Sequence, residues 1–404
     1  MKQVSLSEVY WFQEGPGVRN WQFKDSGIKL LNVANITKQG KIDLNKTDRH
    51  LSKEEVDTKY THFLIDEGDL VIASSGITND DDNLLRTKIA FIEKHHLPLC
   101  LNTSTIRFKS KEGVSDLSFL KHWLNSLEFR QQITKEVTGI AQKNFGPSHL
   151  KKIKISLPPL EEQRRIASIL DQADELRQKR QQAIEKLDQL LQATFIDMFG
   201  DPVSNPKGWK IDSLNNYGAY KNGLNFGKGE SGNQVLYIGV GDFKQLSKID
   251  DVSVLSTINL NDLPSSDYFI KNGDLLFVRS NGNKELVGRC IAVYPNEKLV
   301  TYSGFCIRYR IEQSELTSSY LVHLFRSKSF KQTIFDGGQG ANIQNINQQL
   351  LSRLQIPIPP KDLQEKWSKI VLNIEDQKLK FDQHLKIQNQ LFISLQNQAF
   401  SGTL

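Results

Sequence analysis

The chain has 404 residues, 38% of them hydrophobic and 24% charged, with a formal net charge of +6. That length supports two or three domains with their own cores, and the composition is that of a soluble globular protein. No stretch reaches the length of a membrane span, and "KQVSLSEVYW" after Met1 lacks the apolar run of a signal peptide. Cys100, Cys290 and Cys306 are an odd number of thiols without C-x-x-C spacing, which suits packing residues in a reducing cytosol.

In chain order, residues 1–157 read as a mixed α/β lobe with 23 Lys/Arg against 19 Asp/Glu. Gly68-Asp69-Leu70-Val71-Ile72-Ala73 is a short β-rich run bounded as strands are. Over 117–136, Leu117, Leu120, Leu124 and Leu127 have helical spacing. The lobe ends at "SLPPLEEQ" (156–163), where two prolines close a strand-like run and open a helix. Residues 158–200 then form a helical spacer, with neither Gly nor Pro from 160 to 199. Its apolar positions are Ile166, Ile169, Ala173, Leu176, Ala183, Leu187 and Leu190, in steps of three and four, with Arg180 filling one seam position.

The chain then begins again. Residues 201–357 form a second lobe with 17 Lys/Arg against 14 Asp/Glu, and 358–404 a second helical spacer. "PIPPKDLQ" (357–364) repeats the elbow at a shift of 201, carrying Gly139 onto Gly340 and Asn144 onto Asn345. "IKNGDLLFVRSNG" (270–282) answers "IDEGDLVIASSG" (65–76) at a shift of 205. The drifting shift with a constant order of landmarks means two copies of one domain with unequal loops. The second seam reads Trp367, Ile370, Ile374, Phe381 and Leu391, with Gln377, His384 and Gln388 as polar interruptions. Helices of some 38 residues are rods of about 55 Å, and narrow seams on such rods pair as coiled coils. Two equal lobes related by a pseudo-twofold axis would bring the rods together antiparallel. The alternative is that both rods pair with another subunit.

The duplicated elbows "LPPLEEQRRI" and "IPPKDLQEK", the Gly-Asp-Leu strands, "FGDPVSNPKGW" (199–209) and "LQNQAFSGTL" (395–404) resemble the specificity subunits of type I restriction–modification systems. The resemblance implies two target-recognition domains of α/β (α+β) class in tandem, each followed by a long helix, the helices forming an antiparallel coiled coil. It also implies a non-catalytic subunit that reads split double-stranded DNA. Its partners would be methyltransferase subunits, two in number, using S-adenosylmethionine, and restriction/translocase subunits using ATP and Mg. The mixed-charge face of Arg164, Arg165, Glu175, Arg177 and Lys179 would receive the methyltransferase.

Two half-sites need two reading surfaces and a ruler; one turn of DNA is about 34 Å, within reach of such rods. Unlike lobes imply an asymmetric, interrupted target. The candidate readers are the polar loops after the Gly-Asp-Leu strands: Ser74, Ser75, Gly76, Thr78 and Asn79, and Arg279, Ser280, Asn281, Asn283 and Lys284. Ser, Thr and Asn can bond base edges, and Arg can bond guanine twice; plain turns would use the same residues. Asp80, Asp81 and Asp82 weigh against phosphate contact beside the first loop. Lys143 and Asn144 with their counterparts Gln344 and Asn345 are a second pair, read equally well as landmarks of the fold. Arg107, Lys109, Lys111, Lys221 and Lys228 are candidate phosphate contacts. Arg180 is expected to meet Glu375 or Asp376.

No catalytic motif emerges. Gly227-Lys228-Gly229-Glu230-Ser231 is not a phosphate-binding loop, and Gly239-Val240-Gly241 lacks a third glycine. Leu157-Pro158-Pro159-Leu160 lacks the polar first and aromatic last residues of an adenine methyltransferase tetrapeptide, and His95-His96 has no zinc spacing. A self-contained DNA-modifying or DNA-cleaving enzyme and a coiled-coil interaction scaffold are the alternative readings.

Overall fold

The computed structural model describes residues 2–79, 84–137, 143–227, 229–243, 247–336 and 345–404. It divides into two units, 1–181 with 383–404, and 182–382. The boundaries therefore cut both long helices, and neither spacer expected at 158–200 or 358–404 stands as a body of its own.

In the first unit, strands Tyr10–Glu14, Thr105–Ser110, Leu70–Ala73 and Ile89–Phe91 form an antiparallel sheet in that order. A second sheet runs His50–Leu51, Ile28–Leu31, Leu99–Leu101, its last pair parallel. Leu70–Ala73 is buried throughout. Leu70 and Ile72 face a core with Phe108, Phe119 and Trp123, while Val71 and Ala73 face Leu31, Ile36 and Leu99. Burial on both sides is why this strand reads as a continuous apolar run rather than an alternating one.

The second unit repeats the plan. Gly218–Asn222, Cys306–Ile311, Asp274–Val278 and Cys290–Val293 form the same antiparallel order, extended by Lys248–Ile249 in parallel. Leu275 and Phe277 face one core, Leu276 and Val278 another. The helical stretch expected at 117–136 is two helices, Leu117–Leu124 with Leu127–Glu136, and the second unit has the matching pair Ser318–Arg326 with Lys328–Asp336. All three cysteines are buried and unpaired.

Each lobe ends in an antiparallel ribbon that pairs its first strand with the run before the prolines: Lys2–Ser5 with Lys154–Leu157, and Lys210–Ser213 with Gln355–Ile358. The elbow is then locked by a glutamine. Gln163 is fully buried; its Oε1 accepts from the Asp116 amide at 3.0 Å and its Nε2 donates to the Val114 and Pro158 carbonyls at 3.0 and 2.9 Å. Gln364 makes the same three bonds, from the Thr317 amide at 2.9 Å and to the Glu315 and Pro359 carbonyls at 2.8 and 2.9 Å. Every partner is offset by 201. The final Gln of "LPPLEEQ" and "IPPKDLQ" thus pins the helix start to the loop that opens a lobe helix.

The long helices are Leu160–Phe199 and Lys361–Ser401. Within each unit a stretch of one lies antiparallel to a stretch of the other. In the first unit Arg165 donates to the Leu404 carbonyl at 2.9 Å and Arg177 to Asn389 Oδ1 at 2.7 Å, so partner number falls as residue number rises. In the second, Phe195 and Phe199 meet Trp367 edge-on at 5.3 and 6.0 Å, and Asp188 pairs with Lys378. Residues 177 and 378, and 188 and 389, are repeat equivalents, so the same seam contact is made twice.

The seam differs in phase from the sequence reading. Leu176, Leu190 and Leu391 are exposed by 58, 51 and 58%, not buried. Their neighbours Arg177, Leu191 and Phe392 face inward, as does Leu170 ahead of the half-buried Ile169. Ile166, Trp367 and Ile374 are buried, and Ala173, Leu187 and Ile370 pack at the edge of the cores. Phe381 is half-buried. Gln377 and His384 are exposed, so they interrupt nothing; the inward neighbours are Lys378 and Leu385. The confusion is physical: Ile169-Leu170, Leu190-Leu191 and Leu391-Phe392 are adjacent apolar pairs, and the decisive seam residues Arg177 and Lys378 are charged. The Arg177 guanidinium lies 4.3 Å from the Phe392 ring centre, its stem serving as seam surface.

Candidate nucleic-acid interface

The loop after each central strand is built against the segment that carries the second pair of candidates. In the first unit the Ser74 carbonyl accepts from the Phe145 amide at 2.9 Å, Ile77 bridges Lys143, and Asn144 Oδ1 accepts from the Gly76 amide at 3.2 Å. Gly76 sits at φ +62°, a left-handed turn position that favours glycine. In the second unit the Arg279 carbonyl accepts from the Ile346 amide at 2.8 Å and Ser280 bridges Asn345. The two candidate groups are therefore one surface in each unit, with Asn144 and Asn345 exposed on it.

Other loop candidates serve the loop. Ser74 is only 1% exposed, so its hydroxyl is not offered to a ligand; Ser75 is half-buried. Thr78–Asn79 forms a short strand against Leu85–Arg86. Asn281 Oδ1 accepts from the Asn283 amide at 2.8 Å and Asn283 Oδ1 from the Glu285 amide at 3.0 Å, leading into the turn Lys284–Leu286. Lys228, Gln344 and Asp80–Asp82 lie outside the described residues.

The candidate phosphate contacts have partners within the protein where the structure describes them. Arg107 is 5% exposed and donates to Gln13 Oε1 at 2.9 Å, the His62 carbonyl at 2.9 Å and Asp69 Oδ2 at 3.3 Å. Lys109 pairs with Asp66 and, at 3.7 Å, Asp69; its hydrogen bond holds the Asp66 carboxyl below the usual range. Lys111 donates to the Glu8 carbonyl at 2.7 Å. Lys221 pairs with Asp267 at 3.3 Å and lies 4.1 Å from the Tyr268 ring centre. The Gly-Asp dipeptide explains part of this. Asp69 and Asp274 are buried at the start of the central strands and each answers a cation on the neighbouring strand, Asp274 binding Arg310 through 2.8 and 2.6 Å bonds. A buried carboxylate needs such a partner, and counting charges along the chain does not reveal pairs 40 residues apart.

On the helices, Arg164 pairs with Glu161, Arg165 with Glu162 and Lys179 with Glu175, all one turn apart. Arg177 is in the seam rather than on the outer face. Glu375 faces Lys248 at 3.6 Å and Asp376 pairs with Lys380 at 2.7 Å, so these carboxylates, set against Arg180 in the sequence reading, have their own cations. Among the described residues no cluster of His, Cys, Asp or Glu could hold a metal ion.

What remains unengaged differs between the units. Arg279 makes no side-chain hydrogen bond or ion pair among the described residues, and Phe305, which the sequence reading passed over, is 62% exposed beside it. The matched positions in the first unit are Ser74 and Ser104.

The family model described as the type I restriction modification DNA specificity domain matches twice, over residues 18–186 and 206–391. The chain belongs to this family. The type I restriction enzyme StySPI specificity subunit of Salmonella potsdam is 25% identical over 60% of this chain and 55% of its own length. The MjaVIII specificity subunit of Methanocaldococcus jannaschii is 30% identical over 45% of this chain and 42% of its own. The chain thus spans about half the length of the curated relatives it matches. The fold is shared with the S subunit of a type I restriction–modification system from M. genitalium, at a TM-score of 0.54 and 15% identity over 99% of this chain and 96% of that one. A chain solved for the assembly and conformational transition of the type I system gives 0.57 at 18% identity, over 100% and 98%.

Proposed function

We propose that this chain is the DNA-recognition subunit of a type I restriction–modification complex, acting in the cytoplasm. Each unit reads one half of an asymmetric, interrupted target, and the helices fix the distance between halves. The chain carries no catalysis of its own. Methyltransferase subunits bearing S-adenosylmethionine and restriction/translocase subunits using ATP and Mg do the chemistry on the DNA that it selects. One observation carries this reading: the same scaffold, elbow and glutamine lock occur twice, while the loop surfaces they present differ in chemistry. Identical mounts with unlike sensors suit a reader of two unlike half-sites.

The test is to express the chain with the methyltransferase subunits encoded beside it and sequence the methylated adenines of the host. Two unlike half-sites separated by a fixed gap are expected. A palindromic site would overturn the reading of two unlike sensors. Binding should weaken steeply with salt, and a salt-independent association would favour a protein scaffold instead.

A further inference from the structure

We propose that Arg279 and Phe305 together form the base-reading element of the second unit, Arg279 bonding a guanine edge and Phe305 packing on the methyl of a neighbouring thymine in the major groove. The proposal rests on the DNA-recognition reading above and deepens it.

The argument begins with a turn. Ser303-Gly304-Phe305-Cys306 closes with the Cys306 amide on the Ser303 carbonyl at 2.8 Å, and the Phe305 amide donates to Ser303 Oγ at 3.1 Å. A Cβ at Gly304 would stand 2.0 Å from Asn225 Oδ1 and 3.3 Å from the Leu224 carbonyl oxygen, so a side chain there would displace the Asn225 amide. The Phe305 carbonyl accepts from the Arg279 amide at 2.8 Å, so turn and loop are tied backbone to backbone. The turn is anchored on one side by the fully buried Cys306 and Tyr302, yet it holds a phenyl ring 62% in solvent. An apolar side chain held outward on a fixed turn can pack on a ligand at little further ordering cost. Its neighbour, a guanidinium with no partner among the described residues, makes that surface polyanionic.

The first unit supplies the internal control. Its turn Asn102-Thr103-Ser104-Thr105 has the same closing bond, Thr105 amide to Asn102 carbonyl at 2.9 Å, and the same side-chain support, Ser104 amide to Asn102 Oδ1 at 3.2 Å. It also ties to its loop in the same way, Ser74 amide to Ser104 carbonyl at 2.9 Å. Where the second unit has Arg279 and Phe305, this one has the buried Ser74 and the half-buried Ser104. With the frame held constant, these two positions carry a change of chemistry. Arg reads the O6 and N7 of guanine with two bonds, and an apolar side chain reads the thymine methyl.

The experiment uses the full chain with its methyltransferase subunits and duplexes of the methylated target. Replacing each guanine of one half-site by 7-deazaguanine, and each thymine by deoxyuridine, removes the N7 and the methyl singly. One 7-deazaguanine is expected to weaken binding about tenfold and a neighbouring deoxyuridine several-fold, within the usual range for one base contact. R279A should abolish the first sensitivity and F305S the second, with the other half-site unchanged. Phe305 is exposed, so F305S should fold, and the reciprocal S104F should alter discrimination in the opposite half-site. Wild-type binding that ignores both analogues at every position, or F305S and R279A that keep both sensitivities, overturns the proposal. Absence of any sequence-selective binding by the wild-type complex would instead bring down the recognition reading itself.

Discussion

Gln163 and Gln364 occupy matched positions and make the same three bonds, whereas His122 and His323, matched just as closely, live in different surroundings. His122 Nε2 lies 2.8 Å from Asp171, which also takes a 2.6 Å bond from Lys121. His323 Nδ1 reaches the Ser319 carbonyl at 2.8 Å, but its Nε2 has no partner among the described residues and its ring packs edge-on to Trp367 at 4.9 Å. The counterpart of Asp171 is Leu372. Where the duplicated fold needs a fixed backbone it keeps the residue; where it needs only a filled seam, ionic and aromatic solutions both serve.

The aromatic solution should be the most fragile. Trp367→Ala would empty a fully buried site among Phe195, Phe199 and His323, at about 3–5 kcal/mol. Its counterpart Ile166→Ala should cost about 2–4 kcal/mol. Urea unfolding of both variants checks the order; a larger loss for Ile166→Ala would break the contrast. Gln163→Leu and Gln364→Leu should each cost about 3 kcal/mol, because each strands a buried amide and two carbonyls. Here the two units should respond alike, and unequal losses would show that only one elbow depends on its lock.

Acid separates the units next. Burial holds the His323 imidazole at about 4, below its ordinary 6.5. The unfolded chain therefore gains a proton that the fold refuses as pH falls from 6.5 toward 4. This contribution is complete above 6.5 and is lost across that window, to a total of roughly 3 kcal/mol. Burial also lowers His122, but the hydrogen bond to Asp171 works against it. Burial opposes the Asp171 carboxylate too, yet the bonds from His122 and Lys121 outweigh it and hold it at about 2. Its contribution is complete above the ordinary 3.8 and is lost only as pH falls through about 2. Hydrogen exchange at pH 5 against pH 7 should thus deprotect 318–335 more than 117–136, and His323→Gln should flatten that difference.

A smaller contrast lies in the paired seam contact. Lys378 and Asp188 are both charged and partly exposed, whereas Arg177 meets the neutral Asn389. Lys378→Met should cost less than about 1 kcal/mol, as half-exposed pairs do, and added salt should erase that cost. Arg177→Met should lose its bond to the neutral Asn389 and its ion pair with Asp174, 3.1 Å away on the same helix, so only the Asp174 part of its cost should fall with salt.

The duplication, the elbows and the central strands were legible because each leaves a local mark: a double proline, a Gly-Asp turn, an apolar run. The glutamine locks were quoted in the motif without a role, since nothing in "PPLEEQ" names the carbonyl of Val114 as a partner. The basic candidates misled for the same reason. Arg107 and Lys109 alternate along a strand as surface cations would, and only pairing across the sheet brings Asp69 and Asp66 to them. Phe305 left no mark at all until the turn at Asn102–Thr105 showed what ordinarily sits there.

The seam phase gives the smallest and cleanest test. A stripe taken through Leu391 predicts that Leu391→Ala opens a cavity; the stripe observed here runs through Phe392, 9% exposed against Leu391 at 58%. Phe392 packs in the core of the first unit and stacks under Arg177, so Phe392→Ala should cost about 3–5 kcal/mol. Leu391→Ala removes a side chain already in water and adds a better helix former, so stability should change by less than about 0.5 kcal/mol. A several-kcal/mol loss at Leu391 would restore the original stripe and move Arg177 back to the surface. Leu391 and Phe392 are adjacent, and the one that turns inward is the one whose ring the Arg177 guanidinium of the facing helix covers.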